Sequence, residues 1–147
     1  MLRVPLHQLD PDLPLPCYAR EGDAGADLLA RSDVVLAAAG GRAVVPTGVA
    51  VGIPDGYAGF ILPRSGLAAR HGITCLNTPG LVDSGYRGEL AVILVNLDPS
   101  HDYEVSRGDR IAQLVILRAD QVAFDEVGAD ELGASERGTG GFGHTGT

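Results

Sequence analysis

Glycine and proline interrupt this chain so often that a long helix has nowhere to form. There are 21 Gly and 9 Pro among 147 residues, and each costs about 1 or 3 kcal/mol inside a helix. What recurs instead is a series of short β-rich runs bounded by Gly, Pro and Asp: "ADLLA", "DVVLA", "RAVVPTGVAVGI", "YAGFILP", "GITCLN", "ELAVILVNL", "YEVSRGDRIAQLVILRA" and "QVAFDEV". Punctuation of this kind predicts an all-β fold, a sandwich or barrel. A single short helix is expected over residues 65–72, "SGLAARHG", with Ser65 as its N-cap. Beyond Val127 the pattern dissolves into Gly-rich sequence with little to pack. The expected organisation is therefore a β core over 1–127 and a mobile C-terminal segment over 128–147.

The totals narrow the function. Apolar residues make up 45% of the chain, enough for one globular core. No apolar run reaches the roughly eighteen residues a membrane span needs, and "MLRVPLHQL" lacks the apolar stretch of a signal peptide. The expected compartment is the cytoplasm, with Cys17 and Cys75 as free thiols and no zinc spacing among Cys and His. A net charge of −8 argues against binding long nucleic acid along its backbone, although a small polyanion could still be held by a few focused cations. Every one of the 11 basic residues is Arg. A P-loop, which needs Lys, is excluded, and phosphate contacts must come from guanidinium forks.

Several segments carry possible chemistry, each beside a plainer alternative. In "LPRSGLA" (62–68), Arg64, Ser65 and Gly66 stand where a helix begins, as an anion site or as a capped helix with a surface Arg. In "SRGDRIAQL" (106–114), Gly108-Asp109 is a hairpin signal. Gln113 follows as a solvent-face residue or as a donor aimed into a cleft. "EGDAGADLLA" places Asp23 and Asp27 around glycines, fit for a cation or an Asx turn. The tail "RGTGGFGHTG" (137–146) is either a plain disordered terminus or a closing element. In the second case Arg137 would meet phosphate and Phe142 a base. Finally, "GLVDSGYRGEL" (80–90) holds Asp83 in a turn signal with Tyr86 three residues later. The acid either makes the turn or is presented by it, and an unperturbed carboxylate is ionised at neutral pH and can take a proton from water.

Taken in order, "DAGADL", "PRSGLA", "GLVDSGYRGEL", "RGDRIAQL" and "RGTGGFGHTG" resemble the five motifs of the trimeric deoxyuridine triphosphatases, the dUTPases, across nearly the whole chain. The resemblance implies a distorted jelly-roll subunit in a homotrimer with sites shared between subunits. It further implies hydrolysis of dUTP to dUMP and pyrophosphate with Mg²⁺, which limits uracil in DNA and supplies dUMP for thymidylate synthesis. On that likeness Asp83 is the general base that activates the attacking water, and Tyr86 stands against the deoxyribose where a 2′-hydroxyl would lie. The "GLVDSGYRGEL" segment, expected as a hairpin, reads the uracil with Asn77 before it. Arg64, Ser65, Gly66 and Gln113 hold phosphates, Asp27 binds the metal through water, and Arg137, Phe142 and Gly143 close as a lid. The chain departs from the family pattern at His144, where a Ser is usual.

Two rivals differ in sequence. A dCTP deaminase shares the fold but needs a Glu proton shuttle near the position of Ile93, where "ELAVILVN" is apolar throughout. A catalytically silent nucleotide-binding trimer would be marked by loss of Asp83 or Arg137, and both are present.

Overall fold

The computed structural model describes residues 2–135 and 138–139. Among them lie ten short strands: β1 (Leu6–Gln8), β2 (Ala26–Leu29), β3 (Val34–Leu36), β4 (Arg42–Val51), β5 (Tyr57–Pro63), β6 (Ile73–Cys75), β7 (Gly80–Val82), β8 (Glu89–Asn96), β9 (Tyr103–Val105) and β10 (Arg110–Arg118). One helix, α1 (Ser65–His71), and a 3₁₀ turn over Ala129–Leu132 complete the elements. The strands form two four-stranded sheets, β1-β4-β8-β6 and β2-β10-β5-β7, and a β3-β9 pair. Every pairing is antiparallel. The all-β class and the single short helix are as expected, and no helix among the described residues is long and apolar enough to cross a membrane.

Period-2 alternation decides what each strand buries. In the β4–β8 ladder Val45 faces Val92, each 1% exposed, while Val44 opposite Ile93 stands 65% exposed on the outer face. Leu28, Leu36, Ile53, Ile73, Leu90, Leu94 and Ile111 fill the space between the sheets, at about 1.5–3 kcal/mol for each side chain removed from water. The sheets close so tightly on β5 that a Cβ at Gly59 would stand 2.8 Å from Ile53 Cδ1.

Four expectations are corrected. Helix α1 begins one residue earlier than an N-cap at Ser65 implies: Arg64 is the N-cap, without a side-chain cap, and Ser65 is already helical. The Arg64 carbonyl takes the first bonds, from the N–H groups of Leu67 and Ala68. Gly108-Asp109 is not a β-hairpin, because β9 pairs with β3 while β10 pairs with β2 and β5. The turn is closed by Asp109 accepting from the Ser106 N–H at 2.8 Å, and it carries the chain between sheets. The Asp83 segment is likewise no hairpin, since β7 pairs with β5 while β8 pairs with β4 and β6. "QVAFDEV" forms no strand: it pairs with none of the described strands, and Val122 (66%) and Phe124 (93%) are exposed.

Asn96, fully buried at the end of β8, ties the end of β3 to the loop between β8 and β9. Its Nδ2 donates to the Leu36 and His101 carbonyls at 3.0 and 2.8 Å, and its Oδ1 accepts from the Asp98 N–H at 2.9 Å. Asn96→Ala orphans those groups at ~1–3 kcal/mol for each one left buried. The expected loss is about 3 kcal/mol, seen as a lower urea midpoint at fixed protein concentration.

Two carboxylates are held well below their usual range. The Arg107 guanidinium lowers Asp10 to about 2, and the backbone N–H groups of Ser100 and His101 lower Asp98 to about 2. A depressed folded-state pKa adds stability that is full above the unfolded value near 3.8 and is lost as pH falls toward 2. The unfolding midpoint should therefore drop between about pH 4 and pH 2. Asp10→Asn and Asp98→Asn should each flatten that drop in acid titrations followed by circular dichroism.

Candidate active site

A cleft of about 260 Å³ opens where the chain passes from β7 to β8. Its walls come from both sheets: Val44, Leu90, Ala91 and Ile93 on one side, Ile61, Gly80, Leu81 and Val82 on the other. Asn77, Asp83 and Tyr86 supply the polar groups. The β7–β8 segment crosses between sheets instead of folding back on itself, and this puts Asp83 at the mouth of the cleft, exposed to solvent. A tight turn holds it there, with the Tyr86 N–H donating to the Asp83 carbonyl at 3.1 Å. The Tyr86 hydroxyl donates to the Glu89 carbonyl at 2.9 Å. Ile93 belongs to the apolar wall. An acid that could shuttle a proton in a deaminase is missing from that spot.

A second constellation lies where β5 ends and β10 begins. Asp27 is only 6% exposed, and three donors surround it. Arg64 Nε stands 3.5 Å from Oδ1 and Arg110 Nη1 stands 3.4 Å from Oδ2. Gln113 Nε2 donates to Oδ1 at 3.3 Å. Arg64 also donates to the Arg110 carbonyl at 3.0 Å. Gly25 makes the approach possible, since a Cβ there would stand 3.0 Å from Gln113 Cβ. Gln113 thus faces a charged cluster and not open solvent. Two guanidinium groups on one carboxylate leave the cluster net cationic inside a chain of net charge −8, a local focus for an anion.

Asp27 was expected to meet a metal through water. Both of its oxygens face guanidinium or amide donors, and no group of three or more His, Cys, Asp or Glu among the described residues is placed to hold an ion. Among the described residues the protein alone makes no cage for an ion there.

The structure thus gathers Asn77, Asp83 and Tyr86 in one place, and Asp27, Arg64 and Gln113 in another, with Ser65 and Gly66 next to Arg64. The cleft's lining includes none of the second group. Arg137, Phe142 and Gly143 lie outside the described residues. Two contributors were missed. Arg110 reaches Asp27 because a register shift between Arg110 and Ala112 changes the face it presents, and no residue pattern announces that bulge. Arg70 lies with Nη2 3.0 Å from where a Gly66 Cβ would be, a neighbour that helical i,i+4 spacing could have shown. Both cysteines are free, as expected. Burial pushes the Cys75 thiol up to about 11, so it is inert at neutral pH.

Known proteins resemble this chain in sequence and in fold. The dUTPase family model matches residues 12–146. The deoxyuridine 5′-triphosphate nucleotidohydrolase of Thermobifida fusca is 63% identical over 145 residues, 99% of this chain and 79% of that protein. The enzyme of the same name from Streptomyces coelicolor is 54% identical over 145 residues, 99% of this chain and 78% of the relative. Among solved structures, the Staphylococcus bacteriophage 80alpha dUTPase with dUPNHPP superposes at TM-score 0.87 and 29% identity over the full length of both chains. A mutant dUTPase from phage phi11 of S. aureus, described with a coordinated structural Mg(II) ion, superposes at TM-score 0.77 and 26% identity, over 86% of this chain and 97% of that one. Five ordered motifs, a two-sheet β fold and a match over nearly the whole length converge on one statement: this chain belongs to the dUTPase family.

Proposed function

We propose that this protein hydrolyses dUTP to dUMP and pyrophosphate, with Asp83 as the general base for a water that attacks the α-phosphorus. The observation that carries the proposal is the position of Asp83, an exposed carboxylate at the rim of a cleft whose walls are otherwise apolar apart from Asn77 and Tyr86. Uracil presents acceptor, donor, acceptor along one edge, which Asn77 and the backbone around Gly80 can answer. Cytosine would leave buried groups unpaired at about 1–3 kcal/mol each.

The triphosphate needs cations that the cleft lacks. Arg64 and Arg110 keep donors to spare beyond their contacts to Asp27, because a guanidinium has five N–H groups. Gln113, Ser65 and Gly66 add polar contacts beside them. These groups bind and orient phosphate, and they lower the repulsion between the α-phosphoryl oxygens and the Asp83 carboxylate. Asp27 would hold Mg²⁺ through water, and the ion would supply neutralisation of charge on the triphosphate. In one chain the phosphate cluster and the nucleoside cleft are separate. That separation, with the exposed apolar side chains of Val35, Val122 and Phe124, supports a homotrimer in which each site takes parts from neighbouring subunits. Residues 128–147 are proposed as the lid, with Arg137 on phosphate, Phe142 over the base and Gly143 close to the phosphates. Such an enzyme acts on the cytoplasmic nucleotide pool, keeps uracil out of DNA and supplies dUMP for thymidylate synthesis.

Asp83→Asn removes the base while keeping shape and hydrogen-bonding reach. Its expected effect is unchanged dUTP binding by calorimetry and a kcat lower by about 10²–10⁴-fold. Undiminished turnover would remove Asp83 from the mechanism.

A further inference from the structure

Excluding a ribonucleotide with a tyrosine ring requires that the ring cannot move aside. A clash with a 2′-hydroxyl is relieved by whichever motion costs least, and for a side chain 46% exposed that motion is rotation into solvent. Discrimination therefore cannot exceed the cost of displacing Tyr86, and what fastens the ring sets the selectivity.

The structure shows how it is fastened. The Tyr86 hydroxyl donates to the Glu89 carbonyl at 2.9 Å, which folds the ring back across Gly88. A Cβ built at Gly88 would collide with the Tyr86 hydroxyl and stand 2.7 Å from its Cζ. Gly88 is not among the residues with positive φ, so space and not backbone freedom requires glycine there. The carbonyl that holds the hydroxyl is itself held. The Glu89 side chain accepts from the Gly48 N–H at 2.8 Å and from Arg31 Nη1 at 3.2 and 3.3 Å. Arg31 Nε stands 3.4 Å from Asp10, which in turn pairs with Arg107. Gly48 lies in the β4 irregularity with φ of 76°. The anchor of Tyr86 thus runs into the body of the β4–β8 sheet.

We propose that Gly88 and Glu89 are specificity-determining positioning residues that clamp Tyr86, and that this clamp sets the preference for dUTP over UTP. The proposal rests on the assignment of Tyr86 to the sugar. Gly88 provides the space in which the ring lies, and Glu89 provides both the acceptor for its hydroxyl and the carboxylate that keeps the acceptor in place.

The test measures kcat/KM for dUTP and for UTP in the full-length wild type and in Gly88→Ala, Tyr86→Phe, Glu89→Gln and Tyr86→Ala, with melting temperature as the check on folding. Gly88→Ala and Tyr86→Phe should each lower the dUTP:UTP preference by about tenfold or more, within the range that one misplaced small group produces in a binding site. Glu89→Gln, which keeps an acceptor for Gly48 but loses the ion pair, should lower it less. A preference that falls in Tyr86→Ala but is unchanged in Gly88→Ala and Tyr86→Phe overturns the clamp and leaves the Tyr86 assignment standing. A preference unchanged in Tyr86→Ala overturns the assignment itself, and the clamp with it. Should Gly88→Ala fail to fold, Tyr86→Phe decides, because it deletes only the fastening hydroxyl.

Discussion

The pairing of β4 with β8 holds the molecule at its centre, and it presents apolar side chains on both faces. Inward, Val45 and Val92 join the core; outward, Val44 and Ile93 form the wall of the cleft. Both consequences follow from one ladder and the alternation of its side chains. A one-residue slip would exchange the two sets and destroy core and cleft together. The rest of the site depends on that register. Glu89 begins β8, Tyr86 hangs from its carbonyl, and Asp83 is fixed by the turn that ends at Tyr86.

Charge is the second constraint. A protein of net charge −8 that takes a polyanion must gather cations locally. Here one buried carboxylate, Asp27, holds Arg64 and Arg110 in place. Removing Asp27 would release two flexible guanidinium groups and leave Gln113 without its partner. On the proposed reading, Asp27 preorganises the residues that would meet phosphate. This sits comfortably beside a water-mediated role toward Mg²⁺, because a carboxylate oxygen has more than one lone pair to offer.

The strands were legible because Gly, Pro and Asp bound them, and seven of the eight β-rich runs contain strands in the structure. The eighth, "QVAFDEV", has the right alternation, yet alternation alone does not make a strand, and this segment pairs with none of the described ones. Pairing partners were less legible than strands. Both supposed hairpins, at Asp83 and at Gly108-Asp109, are crossings between sheets, because turn residues mark a reversal of direction without saying which strand lies beside the next. The contact of Arg110 with Asp27 was hidden for a related reason: residues 110 and 113 have opposite parity along a regular strand, and only the bulge brings both to Asp27. Asp83, Tyr86 and Asn77 could be named from the motifs alone. Their shared cleft could not, because its walls come from strands distant in sequence.

The central claim is attack by water on the α-phosphorus of dUTP, and the fate of the water oxygen tests it most directly. The protein would be mixed with Mg²⁺ in ¹⁸O-enriched water, with dUTP, dCTP, dTTP and UTP each supplied separately, and the products followed by phosphorus NMR. The account predicts turnover of dUTP alone, with the label in the phosphate of dUMP and none in pyrophosphate. Label in pyrophosphate would place the attack on the β-phosphorus and contradict the geometry assigned to Asp83; inertness toward dUTP would contradict the assigned chemistry altogether.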